Sequence, residues 1–222
     1  AFGSVINGYR DISGYIYKWS QGTIDAFGIS EIAAQRYAGR LMSMFNSSGF
    51  DATEGMRDSA AKMTTQLIER AGDIASFYEI TVDEAMTKMQ AAMAGMSRPM
   101  RALGVNMNVA NLEAFALEHG INQSWQSMNQ ATQMAVRYAY MLDKTRYAEG
   151  DFAATSMSAS NQAKLLAVNV GQLSATFGQG LVPAIAPVLA WLNALIKRLI
   201  QAANAFRIFM FTLFGKPLAA AK

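Results

Sequence analysis

From Ser30 onward apolar side chains recur at helical spacing. The stretch "SEIAAQRYAGRLMSMFNSSG" puts Ile32, Ala33, Tyr37, Leu41, Met44 and Phe45 near one stripe and stops at Asn46-Ser-Ser-Gly49. Over about 52–78 the apolar side carries Met56, Met63, Leu67, Ile74, Phe77 and Tyr78. Arg57, Lys62, Glu69, Arg70 and Asp73 fall mostly on the opposite side, as in a surface helix. Thr81 followed by Asp83 and Glu84 reads as an N-cap with acids in the first turn, and Ala85, Met89, Ala92 and Met93 continue that helix toward Gly95. Pro99 forces a break. Asn108 caps a short helix ending at Gly120, and Ser124 or Ser127 starts a longer one through Met128, Met134, Val136, Tyr138 and Met141. No period-two alternation persists, so the expected fold class is all-α, made of several amphipathic helices.

The two ends of the chain differ from this middle. Residues 1–28, with glycines at 3, 8, 14, 22 and 28, read as a linker or loosely helical lead-in. From Gly150 a polar-to-apolar helix capped by Asp151 is expected, burying Leu165, Leu166, Val168, Leu173 and Phe177. A long apolar segment follows from Leu181 to Phe214 and stops at Gly215-Lys216-Pro217. The expected organisation is therefore 1–28 lead-in, 29–149 helical region, 150–216 apolar and basic C-terminal segment, and 217–222 tail. Without internal repeats, and with such apolar C-terminal helices, the chain is expected to be extended rather than compact and bundled with other copies.

Charge sharpens that contrast. All 16 acids lie at or before Asp151, against 13 Lys/Arg in the same stretch. Beyond it stand Lys164, Lys197, Arg198, Arg207, Lys216 and Lys222 with no acid among them. An apolar, basic third suits an anionic membrane surface or an acidic lumen. Apolar residues make up 52% of the chain and charged ones 16%, which leaves apolar surface for partners. The chain has no Cys, which removes disulfides and thiolate chemistry. Its start at Ala1-Phe2-Gly3, without Met or a signal-peptide pattern, predicts an internal or processed piece of something longer.

Candidate chemistry is sparse. His119, the single histidine, precedes Gly120 at an expected helix end, where a cation favours the dipole, and no second His or Cys completes a site. Asp83 and Glu84 point in different directions on a helix and read as first-turn acids rather than an acid/base pair. Arg98-Pro-Met-Arg101 reads as a solvated turn, and no glycine spacing matches a phosphate loop. No catalytic residue, cofactor site or metal site is expected.

The stretch "GQGLVPAIAPVLAWLNALIKRLI", residues 178–200, admits three readings. As a spanning helix, 181–196 is short of the roughly 20 residues needed, and a longer span would hold Arg207 at a cost of about 2.5–3.5 kcal/mol. As a core helix it is apolar on all sides and needs protein around it. As a segment shielded in one state and membrane-active in another, it packs Leu181, Ile185, Leu189, Leu192, Ile196 and Leu199 against copies or a hub. On release it offers Trp191, Lys197, Arg198, Phe206, Arg207, Phe209, Phe211 and Phe214 to a membrane.

An ordered series of short motifs runs through 27–196: "FGISEIAAQRYAGRLMSMFNSSGF", "SFY" with "DEA", "RALG" with an Asn-rich follow-on, "GDFA-TS" with "NQ", then "GQGLVPAIAPVL". In that order they resemble the tape measure proteins of long-tailed bacteriophages. Arg98 stands where that family commonly has an acid before the Pro, and Ala154 where a basic residue is frequent. The resemblance implies a virion protein in the tail tube or tip that sets tail length during assembly. It implies release ahead of the DNA and help in crossing the host envelope. Implied partners are other copies (a trimer as first guess), tail tube, distal tail and tail-tip hub proteins, and tail assembly chaperones. The host membrane is a further one, with genome DNA adjacent but not bound by sequence. No catalytic residue carries over. A pore-forming or haemolysin-like protein is the alternative that the apolar, basic C-terminus leaves open, and a muralytic activity would need a domain outside this chain.

Overall fold

A computed structural model describes residues 2–177 and, beyond them, positions 190, 191, 194, 197, 198 and 200–208. Every regular element among the described residues is helical, so the fold is all-α. The lead-in, expected as a linker or loosely helical stretch, holds helix α1 (Phe2–Ser20), followed by α2 (Thr23–Phe27). Ile12 and Ile16 are buried one turn apart, which gives α1 a narrow stripe to seat against the core. Gly28 ends α2 in the left-handed region, φ 67°, and a Cβ there would meet the Phe152 ring at 2.7 Å. Both demands select glycine.

Polar side chains closing on backbone amides start the longer helices. Ser30 caps α3 (Glu31–Phe45) through Ala33 N at 3.2 Å, and Thr53 caps α4 (Glu54–Phe77) through Met56 N at 3.2 Å. Between them one π-turn, Asn46–Phe50, folds Phe50 edge-on to Phe45 with ring centroids 5.3 Å apart. Thr81 caps α5 (Val82–Met93) as expected, and α6 (Arg98–Arg101) takes Pro99 into its first turn, where no amide is needed. Asn108 caps α7 (Val109–Glu118) as expected. The cap of α8 (Gln130–Lys144) is Asn129, not Ser124 or Ser127, because a 3-10 turn at Trp125–Ser127 intervenes.

Past Gly150 the expected single helix is two, α9 (Asp151–Thr155) and α10 (Ala159–Phe177), with a turn at 156–158. Asp151 is not a cap. Gly150 stands at the cap position, and the acid that serves these amides is Asp73, from α4.

Helix α4 is the centre, in contact with α1, α2, α3, α5, α8 and α9. Its buried positions from Leu67 to Ala75 run round the whole helix, and Ala60, Ala61, Ala71, Gly72 and Ala75 let neighbours approach closely. At Gly72 a Cβ would lie 2.8 Å from Phe27 O. Arg70 and Asp73 are therefore inside at 8% and 7% exposure, which corrects their placement on a solvent face. Three expected core residues lie outward instead: Ile32, Phe77 and Leu166. Ala34, Ala38 and Phe45 complete the inner face of α3 with Tyr37 and Leu41, one position round from Ile32.

The chain forms two units, Ala1–Gln172 and Leu173–Lys222. One core running from Ile12 to Ala148 belongs to the first, so within it the expectation of an extended chain gives way to helices packed around α4. The division between the units falls inside α10. Burial of Phe152 and Asn161 ties α9 and the start of α10 to the first unit. In the second unit 173–177 continue α10, and positions 190, 191, 194, 197, 198 and 200–208 are helical and exposed. Most of the long apolar stretch expected over 181–214 lies outside the described residues.

Candidate functional site

Six expected packing residues, Leu181, Ile185, Leu189, Leu192, Ile196 and Leu199, lie outside the described residues, as do Phe209, Phe211 and Phe214 of the expected membrane set. The other five of that set are described. Trp191 and Phe206 are helical and 65% and 58% exposed, and Ile208 joins them at 62%. Lys197, Arg198 and Arg207 are helical and exposed too. In 200–208, Ile200 and Arg207 are seven positions apart and share a face, so that face carries both an apolar and a cationic side chain. Exposed aromatics beside cations without acids suit an interface between hydrocarbon and anionic headgroups.

A second candidate lies in the first unit: a cleft of about 620 Å³ between α2, α4, α7, α8 and the start of α9. Phe27, Glu69, Arg70, Asp73, Phe115, His119, Asp143 and Glu149 line it. Arg70 donates to Thr145 O at 2.8 Å and to Glu149 Oε2 at 2.7 Å. Asp73 accepts from Gly150 N at 2.9 Å and Phe152 N at 3.3 Å, meeting the positive end of α9. Burial raises the Asp73 carboxyl above its ordinary range, against the opposing pull of those two amides and Arg70. Burial also raises Glu69, which accepts from Trp19 Nε1 at 2.8 Å, and the charge of Asp73 adds to the effect. Glu149 is held low by the hydrogen bond and charge of Arg70. Arg70 thus ties α4 to the end of α8 and to Glu149, and Asp73 ties α4 to the start of α9, an arrangement that fastens helices.

No protein-family model, characterised protein or solved structure matches this chain.

His119 is the C-cap of α7, its Nδ1 2.8 Å from Phe115 O and its ring 4.0 Å from that of Phe115. Asp83 accepts from Arg36 at 3.1 Å and, in a short hydrogen bond, from Tyr37, while Glu84 pairs with Lys88 at 2.9 Å, so the two acids diverge. Arg98 and Arg101 are exposed on α6. Among the described residues no group of three or more acids or histidines is placed to hold a metal ion, and no helix is long and apolar enough to cross a membrane.

Sequence reading missed the Arg70–Asp73 pair. No local signal marked it: in "QLIERAGDIAS" Glu69, Arg70 and Asp73 share the side opposite Leu67, Ile68, Ala71 and Ala75, and what covers that side is the distant stretch 145–152.

Proposed function

We propose that this chain is part of a tape measure protein of a long-tailed bacteriophage, a structural and DNA-ejection protein of the virion with no turnover of its own. The observation that carries the proposal is the ordered motif series over 27–196. The exposed Trp191, Phe206 and Ile208 beside Lys197, Arg198 and Arg207 support its second half, in which the C-terminal segment is sheltered in the tail and meets the host membrane on release. Sheltering an apolar segment in an aqueous tube needs neighbours, so several copies bundle through 181–214, with threefold packing the first geometry to test.

The ruler role is tested by an in-frame deletion in the helical region of the parent protein. Tails shorten by about 1.5 Å per residue removed if that region is a helical ruler. Unchanged tail lengths in electron micrographs would refute the role.

The exposed apolar and cationic positions also favour a pore-forming or haemolysin-like protein. The rest of the gene separates the two. A long coiled-coil extension upstream accords with the ruler, and a complete protein of this size with its own secretion signal sinks it.

A further inference from the structure

Within the first unit, residues 160–172 of α10 insert little of their surface. Among its described side chains at 160–172, only Asn161 is buried. Asn161 Nδ2 lies 3.0 Å from Ser76 Oγ and 2.9 Å from Thr155 Oγ1, at the end of α4 and the end of α9. Further along, Lys164 Nζ reaches Ala75 O at 3.4 Å and Gln172 Oε1 accepts from Glu31 N at 3.1 Å. Beside Ala167 and Val168 runs a groove of about 400 Å³, partly open to solvent, with Ile29, Ala33, Ile80 and Val82 on its apolar wall and Arg36, Thr81 and Asp83 at its polar side. Protein interiors are close-packed, so a helix over such a space forgoes the dispersion contacts that anchor its neighbours.

Helix α9 differs sharply. Phe152 is buried against Gly28, and Asp73 accepts from the amides of Gly150 and Phe152. Between a fixed α9 and a lightly held α10 stands the turn 156–158, with Met157 fully outward at 85% exposure.

We propose that α10 is a strap that lifts from α3, α4 and α5 about the turn at 156–158 while α9 stays seated, uncovering the apolar groove without unfolding the core. Asn161 is the catch. Sub-global openings of this kind belong to segments with few buried apolar contacts and polar attachments. The opening is a property of the chain alone, and it holds or fails independently of any role in a phage tail.

Native-state hydrogen exchange on the whole chain tests it. Amides of 162–172 should exchange about a hundredfold faster than those of 64–75 on α4, and Asn161→Ala should speed the α10 amides about tenfold further while leaving α4 unchanged. Equal protection of the two helices, or acceleration of both alike in the variant, overturns the strap. A second readout separates lifting from fraying in place. The chain lacks cysteine, so Ala75→Cys puts a single thiol in the groove wall, where the native alanine is 3% exposed. Its labelling by a small maleimide should follow the α10 opening and rise with Asn161→Ala. A thiol that reacts only on global unfolding contradicts the proposal, whatever the α10 amides do.

Discussion

Glu79 holds φ at 55°, the left-handed region that residues with a Cβ rarely adopt, just past the end of α4. Its position explains why. Ile80 N returns to Ala75 O at 3.1 Å and Glu79 N to Ser76 O at 3.2 Å, the closure of a helix whose last residue before the turn is normally glycine. The Glu79 side chain is exposed and gains nothing in exchange. Glu79→Gly should therefore stabilise the first unit by about 1 kcal/mol, read as a rise in the urea midpoint at unchanged slope. A lower midpoint would show that the glutamate contributes a contact outweighing the backbone strain. At this scale the caps at Ser30, Thr53, Thr81, Asn108 and Asn129 follow directly from local hydrogen-bonding chemistry, and Thr81 and Asn108 were read as caps from the sequence. Glu79 was not legible, because nothing local distinguishes a strained glutamate from an ordinary one.

Between elements the controlling feature is that α4 carries charge into the core. Glu69 and Asp73 sit one turn apart, facing α1 and α9, and burial raises both carboxyls. A raised carboxyl binds its proton more tightly in the folded state, so its favourable contribution is complete below the unfolded value, near 4 for an ordinary carboxyl, and is lost as pH climbs through the folded value. Glu149 and Asp143 run the other way: held low by Arg70 and by Lys144, they contribute above the ordinary value and lose that contribution in stronger acid. Melting temperature should then rise as pH falls from neutral into the mildly acidic range and drop again below it. Glu69→Gln keeps an acceptor for Trp19 Nε1 and removes the charge, so it should flatten the upper limb and leave the acid limb in place. A variant whose profile parallels that of the native chain would dismiss Glu69 as its cause. The helical periods were legible because they repeat, whereas 1–28 read only as a linker or loosely helical stretch because scattered glycines obscure the stripe that Ile12 and Ile16 make. The Asp73 cap on α9 was beyond sequence reading, because it joins positions 77 residues apart.

At the scale of the whole molecule, a first unit folded around one core has a radius of gyration of roughly 16 Å, whereas the same 172 residues as a single helix would extend about 260 Å. In the tape-measure reading such a unit adds almost nothing to a ruler, and its place is at one end of it. What the second unit adds is exposed apolar and cationic positions, legible from the sequence: its span holds five basic residues and no acid. Each Lys or Arg near an anionic bilayer contributes about 1 kcal/mol, screened over a Debye length of about 8 Å at physiological salt. Burial of Trp191 and Phe206 adds about 25 cal/mol per Å² of apolar area. The two contributions predict different dependences, since only the first varies with lipid charge and salt. The chain should therefore release dye from anionic liposomes more than from neutral ones, and less as salt rises. Replacing Lys197, Arg198 and Arg207 together with Glu should abolish the preference for anionic lipid while leaving Trp191 and Phe206 to partition. Co-sedimentation beside dye release separates binding from leakage. If the chain ignores both kinds of liposome, the membrane half of the proposed function fails and the segment is a packing element of the tail.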